Sequence, residues 1–348
     1  MISGELELIE TIRRRAARVG SGSRAVRLGI GDDCAILRPS RGHEICVTTD
    51  LTLEGRHFRR EWHSPESVGH RCLARGLSDL AAMGAEPLAV FLSLAVPSRL
   101  SAAWLERFMD GFHALASKYR VPLAGGDTAE SPVVSRGGDG LIAADIVVVG
   151  QVLRNKALLR SDAQPGNRIY VTGALGGAAA ELLALAKSPR KFAKFTRAVD
   201  CHPHLYPEPR LAVGRHLRKL ARAVIDISDG LSTDLTHLCQ ESRVAAIIDE
   251  AALPIHLLAA ESRDPLGLAL NGGEDYELLF TASATARVPR TIAGVPIHGI
   301  GTMRRPSRGQ PLILLKMRDG RRITVQPGGW EHFRHVKPRS HEKSPEKI

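Results

Sequence analysis

The sequence contains few aromatic residues and few cysteines, and both shortages exclude particular classes of protein. Phe, Trp and Tyr make up 4% of the 348 residues, so no stacking platform for single-stranded nucleic acid is expected. The chain has neither a Cys-x-x-Cys pair nor a His-Glu-x-x-His motif, which argues against a zinc site. We interpret the cysteines as small buried residues or free thiols: Cys34, Cys46, Cys72, Cys201 and Cys239.

Long apolar runs are absent as well. No stretch approaches 18 consecutive apolar residues, which predicts that the chain has no membrane span. The first 20 residues are acidic and then basic, without the apolar centre of a signal peptide, so we predict a cytoplasmic protein. The net charge of +11 suits a polyanionic partner, either nucleic acid or phosphorylated small molecules. Because the basic residues are scattered, we expect no nucleic-acid partner.

Helix and strand patterns alternate along the chain, which predicts an α/β and α+β protein. A chain of this length is too long for one compact core, so we expect two domains with a break near 150–160. A helix is predicted from Ser64 and Pro65, its cap and first residue, to Gly84. Further helices are predicted over about 4–18 and 209–222. The predicted strands are 43–55, 89–97, 141–152, 168–172, 244–249, 277–282 and 296–301.

One short pattern recurs: an apolar strand followed by a turn of Gly, Asp, Ser or Thr. One such turn usually has only a structural role. Several together predict that acidic side chains gather where strands end on one rim of a sheet. Two carboxylates about 4 Å apart repel by roughly 4 kcal/mol at an effective dielectric constant near 20, so they shift their pKa values or bind cations. Hard oxygen ligands suit Mg²⁺, which predicts a magnesium–polyphosphate site. The turns are 29–34, 48–55, 124–128, 226–234 and 271–277, with Asp79 in addition.

Other phosphate-binding motifs are either absent from the sequence or ambiguous. The chain contains no Gly-Lys pair, which excludes a P-loop. Residues 172–181, "TGALGGAAAE", have the order strand, glycine turn, helix. Their amides either cradle a phosphate or simply allow the helix to pack closely on the strand, and the sequence leaves both open.

Eight segments, in order, resemble the thiamine-monophosphate kinase family, which belongs to the superfamily of aminoimidazole ribonucleotide synthetase. The resemblance spans residues 4–334, and two of its segments, "GGEDYEL" and "GWEHF", favour the thiamine-phosphate branch. The last cysteine is Cys239, whereas a related hydrogenase maturation ATPase would end in a functional cysteine. The segments are "GIGDDCAIL", "TTDLTLEGRHF", "LSDLAAMGAEP", "GGDT", "LLRSDAQPG", "IDISDGLSTDL", "NGGEDYELLFT" and "GWEHF".

The resemblance implies a two-domain aminoimidazole ribonucleotide synthetase-like fold and a homodimer. Residues 1–153 would bind ATP and Mg²⁺, and their strands would form a barrel with a second subunit. Residues 154–336 would form an α+β domain, and 337–348 a disordered basic tail. The implied reaction transfers the γ-phosphoryl group of ATP to thiamine monophosphate, giving thiamine diphosphate and ADP. Several Mg²⁺ ions would assist, and no covalent nucleophile is implied.

The resemblance also implies a role for individual residues. Tyr119 has an alternative interpretation as the last core residue of its helix, and Trp330 as a C-terminal anchor. Asp162 and Asn167 depart from the family pattern near Arg160. Implied metal ligands are Asp33, Thr48, Thr49, Asp50, Asp79, Asp127, Asp226 and Asp229. Implied ATP contacts are Tyr119, Gly126, Asp127, Arg160 and Ser228, and implied substrate contacts are His57, Glu274 and Trp330.

Two other functions remain open from the sequence. One is a sister ATP-dependent synthetase or phosphotransferase that acts on another substrate. The other is a non-catalytic protein that binds nucleotides or nucleic acid through its positive charge. The number of carboxylates favours an enzyme, because a non-catalytic relative has no need of so many acids that repel one another.

Overall fold

The computed structural model describes residues 5–20, 25–132, 140–189 and 202–330. The predicted tail 337–348 lies outside these residues. No helix in the described ranges is both long enough and apolar enough to cross a membrane.

The N-terminal half forms a four-stranded sheet with the strand order β3-β6-β4-β5. Strands β3 and β4 each run antiparallel to β6, while β4 and β5 are parallel. A separate two-stranded ladder, β1-β2, precedes the sheet. The strands are β1 (Val26–Leu28), β2 (Ile36–Leu37), β3 (His43–Leu53), β4 (Glu86–Val96), β5 (Leu123–Glu130) and β6 (Ala143–Leu153). The helices are α1 (Glu5–Gly20), α2 (Pro65–Ala82) and α3 (Ala102–Tyr119).

The C-terminal half forms a second, mixed sheet with the order β14-β13-β9-β12-β7-β10-β8, and β11 pairs with β12. Its strands are β7 (Arg168–Thr172), β8 (Ala221–Asp226), β9 (Ala245–Asp249), β10 (Leu278–Ala282), β11 (Thr291–Ile292), β12 (Val295–Arg304), β13 (Ile313–Lys316) and β14 (Arg322–Val325). Its helices are α4 (Gly177–Lys187), α5 (Leu211–Leu217), α6 (Leu231–Glu241), α7 (Leu257–Ala260) and α8 (Pro265–Asn271), with a 3-10 turn at Glu250–Ala252.

Helix α2 lies where the two sheets meet. It contacts β3 and β6 of the first sheet and β8 of the second. One hydrophobic cluster therefore joins Leu77 of α2 to Val224 and Phe280 of the second sheet. The opposite face of the second sheet has its own cluster, in which α6 contributes Leu231 and Leu235. A helix buried on nearly all sides carries polar groups only where they have partners or face a cavity.

Most predicted elements are confirmed, including the N-terminus of α2. The Ser64 side chain accepts a hydrogen bond from the Ser67 amide, and Pro65 begins the helix. The predicted helix 209–222 is too long, because the chain turns after α5 and enters β8, which pairs with β10.

Two segments predicted as strand-ending turns lie inside strands instead. Residues 124–128 belong to β5, since Gly126 and Asp127 pair with Leu92 and Ser93 of β4. Residues 48–53 of the second segment belong to β3, and the turn comes only at Gly55. The glycines of β5 allow a close approach to β4: a Cβ on Gly126 would lie 1.8 Å from the Leu92 carbonyl oxygen.

Candidate active site

The centre of the molecule contains a cavity of about 490 Å³ between α2, the segment after β3, the turn after β8 and the segment before β10. We call it the central cavity. Eight of the residues singled out from the sequence line it: Asp50, His57, Asp79, Asp226, Ser228, Asp229, Glu274 and Trp330.

Three carboxylates of the central cavity come from different elements. Asp50 lies in the middle of β3, Asp79 near the end of α2, and Asp226 at the last position of β8. The prediction that acids meet on one rim of a sheet is therefore wrong in its geometry. They meet because α2 packs against β3 on one side and β8 on the other.

Hydroxyl and guanidinium groups orient these carboxylates. The Thr48 hydroxyl donates to Asp79, and the Ser78 hydroxyl donates to Asp226 over 2.7 Å. Arg75 Nη2 lies 3.2 Å from Asp50 Oδ1.

The surroundings of these carboxyl groups disfavour their ionised form. Burial, together with the negative charge of the neighbouring Asp79, raises the pKa of Asp226 to about 7. Burial also raises the pKa of Asp50 to about 6, against the lowering influence of Arg75. The pKa of Asp79 is raised too, again chiefly by burial. Hard oxygen donors with this excess of negative charge fit a divalent cation such as Mg²⁺.

Among the described residues, no group of three or more His, Cys, Asp or Glu side chains is placed so that it could hold a metal ion. This is compatible with Mg²⁺, which usually takes one or two carboxylates and completes its shell with waters and substrate phosphates.

The raised pKa values predict how the stability of the metal-free protein depends on pH. In an unfolded chain an Asp has a pKa near 3.9, so the folded state retains protons on Asp226 and on Asp234, whose pKa is raised to about 8. Their stabilising contribution is complete below about pH 4 and is lost as the pH rises through these folded-state values. Buried histidines such as His63, whose pKa falls to about 2, act oppositely only below their unfolded value of about 6.5.

Between pH 6.5 and 8, the free energy of unfolding in EDTA should therefore decrease. The slope approaches about 1.4 kcal/mol per pH unit for each group that is losing its proton. Urea unfolding at several pH values measures it. Asp226→Asn should reduce the decrease, and added Mg²⁺ should oppose it. A free energy of unfolding that stays constant or rises over this range would contradict the prediction.

The turn that joins β8 to α6 contains acids with two different roles. Asp234 Oδ2 accepts hydrogen bonds from the amides of Ser228, Asp229 and Gly230, at 3.0–3.1 Å. Its side chain is almost completely buried and holds the turn in shape. Asp229 instead lines the central cavity, and its carbonyl accepts from the Trp330 amide over 3.0 Å.

A second cavity of about 490 Å³, the side cavity, lies beside the first. Its lining includes Thr48, Arg160 and Asp79, and Asp79 lines both cavities. The charge of Arg160 lowers the pKa of Asp79 and of Asp226, so this guanidinium is close to the acidic cluster.

The two departures from the family pattern lie away from this contact. Asp162 is exposed and lines a different surface depression with Lys156 and Arg222. Asn167 is buried, and its side-chain oxygen accepts from the Gln164 amide at 2.9 Å, which closes a turn.

Five of the implied residues do not lie in the central cavity or the side cavity. Thr49 projects from the face of β3 opposite to Thr48 and Asp50, as strand alternation requires. Gly126 and Asp127 are exposed on β5, the other edge of the sheet, and Asp33 is exposed in the turn after β1.

Tyr119, the fifth, lines a third cavity of about 670 Å³. Its hydroxyl proton is shared between two acceptors, the Glu208 carboxylate and the Pro209 carbonyl oxygen, which lies 2.8 Å away. These contacts anchor the C-terminal end of α3 to the segment before α5.

The glycine turn before α4 does not present free amides for a phosphate. Asp275 accepts hydrogen bonds from the amides of Gly176 (2.7 Å) and Ala178 (3.2 Å). A carboxylate of the protein itself therefore occupies the N-terminus of this helix. Of the two interpretations of 172–181, the structure supports the structural one.

Sequence reasoning missed several residues of the central cavity and of its wall. Helix α2 carries Arg71, Arg75 and Asp79 four residues apart, a spacing that places them on one helix face. That spacing of charges in an otherwise apolar helix was a usable signal. Trp62 also lines the cavity, and the Arg59 guanidinium lies 5.0 Å from the centre of its ring.

Known proteins are similar to this chain over nearly its whole length. The family "AIR synthase related protein, N-terminal domain" matches residues 31–152. A thiamine-monophosphate kinase from Escherichia coli K12 is 38% identical over 340 residues, which cover 96% of this chain and 99% of that protein. The chain belongs to the thiamine-monophosphate kinase family.

Solved structures of the family extend the likeness to the fold. The thiamine-monophosphate kinase of Stenotrophomonas maltophilia K279a superposes with a TM-score of 0.76 at 36% identity, covering 91% of this chain and 97% of that one. A structure described as AaThiL complexed with AMPPCP and TMP gives a TM-score of 0.69 at 30% identity, covering 95% and 97%. The implied α/β fold of helices and mixed sheets is thus confirmed.

Proposed function

We propose that this protein phosphorylates thiamine monophosphate to thiamine diphosphate, with ATP as the phosphoryl donor. The observation that carries the proposal is the position of Asp79. It separates the side cavity, which contains Arg160, from the central cavity, which contains His57, Glu274 and Trp330. A phosphoryl donor in one cavity and an acceptor in the other would meet at the acidic cluster. A relative with this fold has been crystallised with AMPPCP and TMP.

The residues of each cavity then have distinct tasks. Arg160 would pair with oxygens of the ATP phosphates, and Ser228 would contact them from the turn after β8. In the central cavity, Trp330 offers an aromatic face to the cationic thiazolium ring, and His57 and Glu274 offer polar contacts. Because the acceptor is already a phosphate anion, alignment of the two phosphates matters more than a general base.

Mg²⁺ belongs to the same proposal. Asp50, Asp79, Asp226 and Asp229 would supply ligands to several ions, one or two carboxylates to each, and the bound metal would screen the charges of the two phosphates. The raised pKa values of Asp50 and Asp226 support this assignment, because carboxylates in a crowded and buried group gain most from a cation.

A homodimer is part of the proposal, supported by the first sheet. Within the described residues β3 pairs only with β6, which leaves one edge of an 11-residue strand without a partner. The side chains of Ile45, Val47 and Leu51 on its outer face are about half exposed (46%, 61% and 50%). Long apolar edge strands are normally covered, and a second copy of the sheet would cover this one.

The position of Asp127 supports the same conclusion. Strands β3 and β5 are opposite edges of the four-stranded sheet, so three strand spacings of about 4.8 Å, roughly 14 Å, separate them. If Asp127 and Gly126 contribute to the site of Asp50, they reach it from the partner subunit.

We also propose the domain limits 1–153 and 154–336 and a cytoplasmic location, both from the sequence.

One assay tests the proposed function. The protein is incubated with ATP, Mg²⁺ and thiamine monophosphate, and thiamine diphosphate and ADP are quantified; we expect equal amounts. ADP without thiamine diphosphate would indicate another acceptor, and no product from either would reject the proposal. Unphosphorylated thiamine is the matched control, and it should not be converted.

Replacement of Trp330 tests the substrate assignment. Trp330→Ala should weaken binding of thiamine monophosphate by about ten- to thirtyfold, the range of a partly desolvated cation–π contact, and leave ATP binding nearly unchanged. Trp330→Phe, which keeps an aromatic ring, should lose less. Titration calorimetry with each ligand measures both. Equal losses for the two ligands would show that Trp330 is only an anchor of the C-terminal segment.

A further inference from the structure

Glu274 is held by two residues that sequence analysis did not single out. Arg71 Nη2 lies 2.6 Å from Glu274 Oε1, and His204 Nδ1 lies 3.1 Å from Oε2. Arg71 Nη1 also contacts His204 Nε2. The three side chains therefore form a closed triangle.

The triangle fixes the tautomer of His204. A guanidinium can only donate hydrogen bonds, so the Nε2 atom that faces Arg71 must accept. The proton of the neutral ring is then on Nδ1, and it is donated to Glu274. Each oxygen of the Glu274 carboxylate thus accepts a hydrogen bond from a buried side chain, one from Arg71 and the other from His204.

Glu274, which faces the cavity, is more exposed than Arg71 and His204, which support it. The side chains of Arg71 and His204 are 4% and 1% exposed, while that of Glu274 is 24% exposed. Glu274 lines the central cavity, and neither of its two partners does. Arg71 and His204 therefore act on a bound molecule only through Glu274.

The backbone of this segment adds an independent observation. Glu274 and Tyr276 have φ values of +67° and +50°, a region that residues with side chains rarely occupy. Such a conformation persists only where surrounding contacts impose it. The contacts of Arg71 and His204 with the Glu274 carboxylate are of this kind.

The charges of the triangle explain what Glu274 presents to the cavity. Arg71 compensates its negative charge, and burial lowers the pKa of His204, so that ring stays neutral. The pKa of Glu274 is well below its usual range, because the influence of Arg71 and His204 outweighs burial. The charged and titratable groups that face Glu274 are Arg71, Arg75, His63, His204 and Tyr276.

We infer that Arg71 and His204 are positioning residues, which keep Glu274 ionised and aimed into the central cavity as a hydrogen-bond acceptor for the substrate's heterocycle. This inference rests on the proposed function, since the hydrogen-bond donor that Glu274 recognises would be an N–H of the aminopyrimidine ring of thiamine monophosphate. An ionised carboxylate accepts this hydrogen bond in any rotamer, whereas a protonated one competes for it as a donor.

Arg71→Gln tests the inference through the pH dependence of KM. Without the guanidinium, the buried Glu274 should take up a proton at a much higher pH than in the natural protein. The KM for thiamine monophosphate, divided by the wild-type KM at the same pH, should increase by about tenfold for each pH unit below the new pKa. Taking the ratio cancels the titration of the substrate phosphate. The KM for ATP should stay within about twofold at every pH, since uniform damage would change both.

Five further variants separate positioning from general damage. Glu274→Gln should raise KM equally at every pH, and adding Arg71→Gln to it should introduce no pH dependence. His204→Asn keeps an N–H close to the position of Nδ1 and should retain a flat ratio, whereas His204→Leu should not. Arg107→Gln is the matched control, because it removes another arginine bound to a glutamate of α2, Glu66, at 2.7 Å. It should leave the KM for thiamine monophosphate unchanged.

The outcomes are distinguishable. If the natural protein does not convert thiamine monophosphate, the proposed function fails, and this inference fails with it. If it does convert the substrate and the Arg71→Gln ratio is the same at every pH, Arg71 is only structural. If Arg71→Gln does not fold, the His204→Leu and His204→Asn pair decides by the same ratio, and identical profiles for these two would overturn the inference.

Discussion

Asp79→Asn should lower kcat by about a thousandfold, the upper range for loss of one group that stabilises developing charge. Asp79 lines both cavities and belongs to the cluster proposed to hold Mg²⁺. The substitution removes a negative charge at the point where the phosphoryl group would be transferred. Asparagine has nearly the same shape and still accepts the hydrogen bond from Thr48, so the fold should be retained.

The same variant should be at least as resistant to unfolding as the natural protein when metal is absent. Asp79 repels Asp226 and Asp50, and its removal relieves this repulsion. A steady-state assay and a thermal melt in EDTA together test the prediction. Asp110→Asn is the control, because this exposed carboxylate on α3 pairs only with Arg15 among the described residues. A kcat within tenfold of the natural value would remove Asp79 from the reaction.

Mixing two inactive variants should restore activity if the site is shared between subunits. Asp127→Asn and Asp229→Asn should each lose nearly all turnover. In a mixed dimer, one site would combine the intact Asp229 of the first chain with the intact Asp127 of the second. Random pairing makes half of the dimers mixed, each with one intact site of two, so about a quarter of the wild-type activity should return.

The control for this experiment uses two substitutions on the same side of the proposed interface. Asp226→Asn mixed with Asp229→Asn leaves a defect in every site and should restore nothing. The variants are mixed in denaturant and refolded together so that subunits exchange. If Asp127→Asn and Asp229→Asn stay inactive when mixed, while size measurement shows that mixed dimers have formed, the two residues act within one chain or not together.

Much of the secondary structure could be predicted from local sequence. Ser64 and Pro65 mark the start of α2 because a capping hydroxyl and a fixed φ favour the first turn of a helix. The apolar runs of β7, β8 and β10 likewise have a composition typical of buried strands. The limits of β5 could not be predicted. A glycine pair normally ends a strand, but here the pairing with β4 continues through Gly125 and Gly126.

In the candidate site, too, some features can be predicted from neighbouring residues, while others depend on contacts between residues far apart in sequence. Among the acids of the turn 226–234, the resemblance implies a metal role for Asp226 and Asp229 and none for Asp234; the first two line the central cavity, while Asp234 binds the amides of the turn. The sequence of 172–181 permits two interpretations, and the contact of Asp275 with its amides decides between them. That contact joins residues almost 100 positions apart, so no local pattern contains it.

The chemistry of this protein can be predicted from its sequence: many carboxylates beside glycines, no P-loop lysine, no zinc-binding motif, and a series of motifs that identifies the family. These properties depend on residue type and on spacing along the chain, and both can be taken directly from the sequence. The tertiary structure alone decided which acids share a cavity and which lie on opposite edges of a sheet. It also decided that Arg71 and His204 support Glu274. Contacts of this kind depend on how α2 packs between two sheets, and packing joins residues that are far apart in sequence.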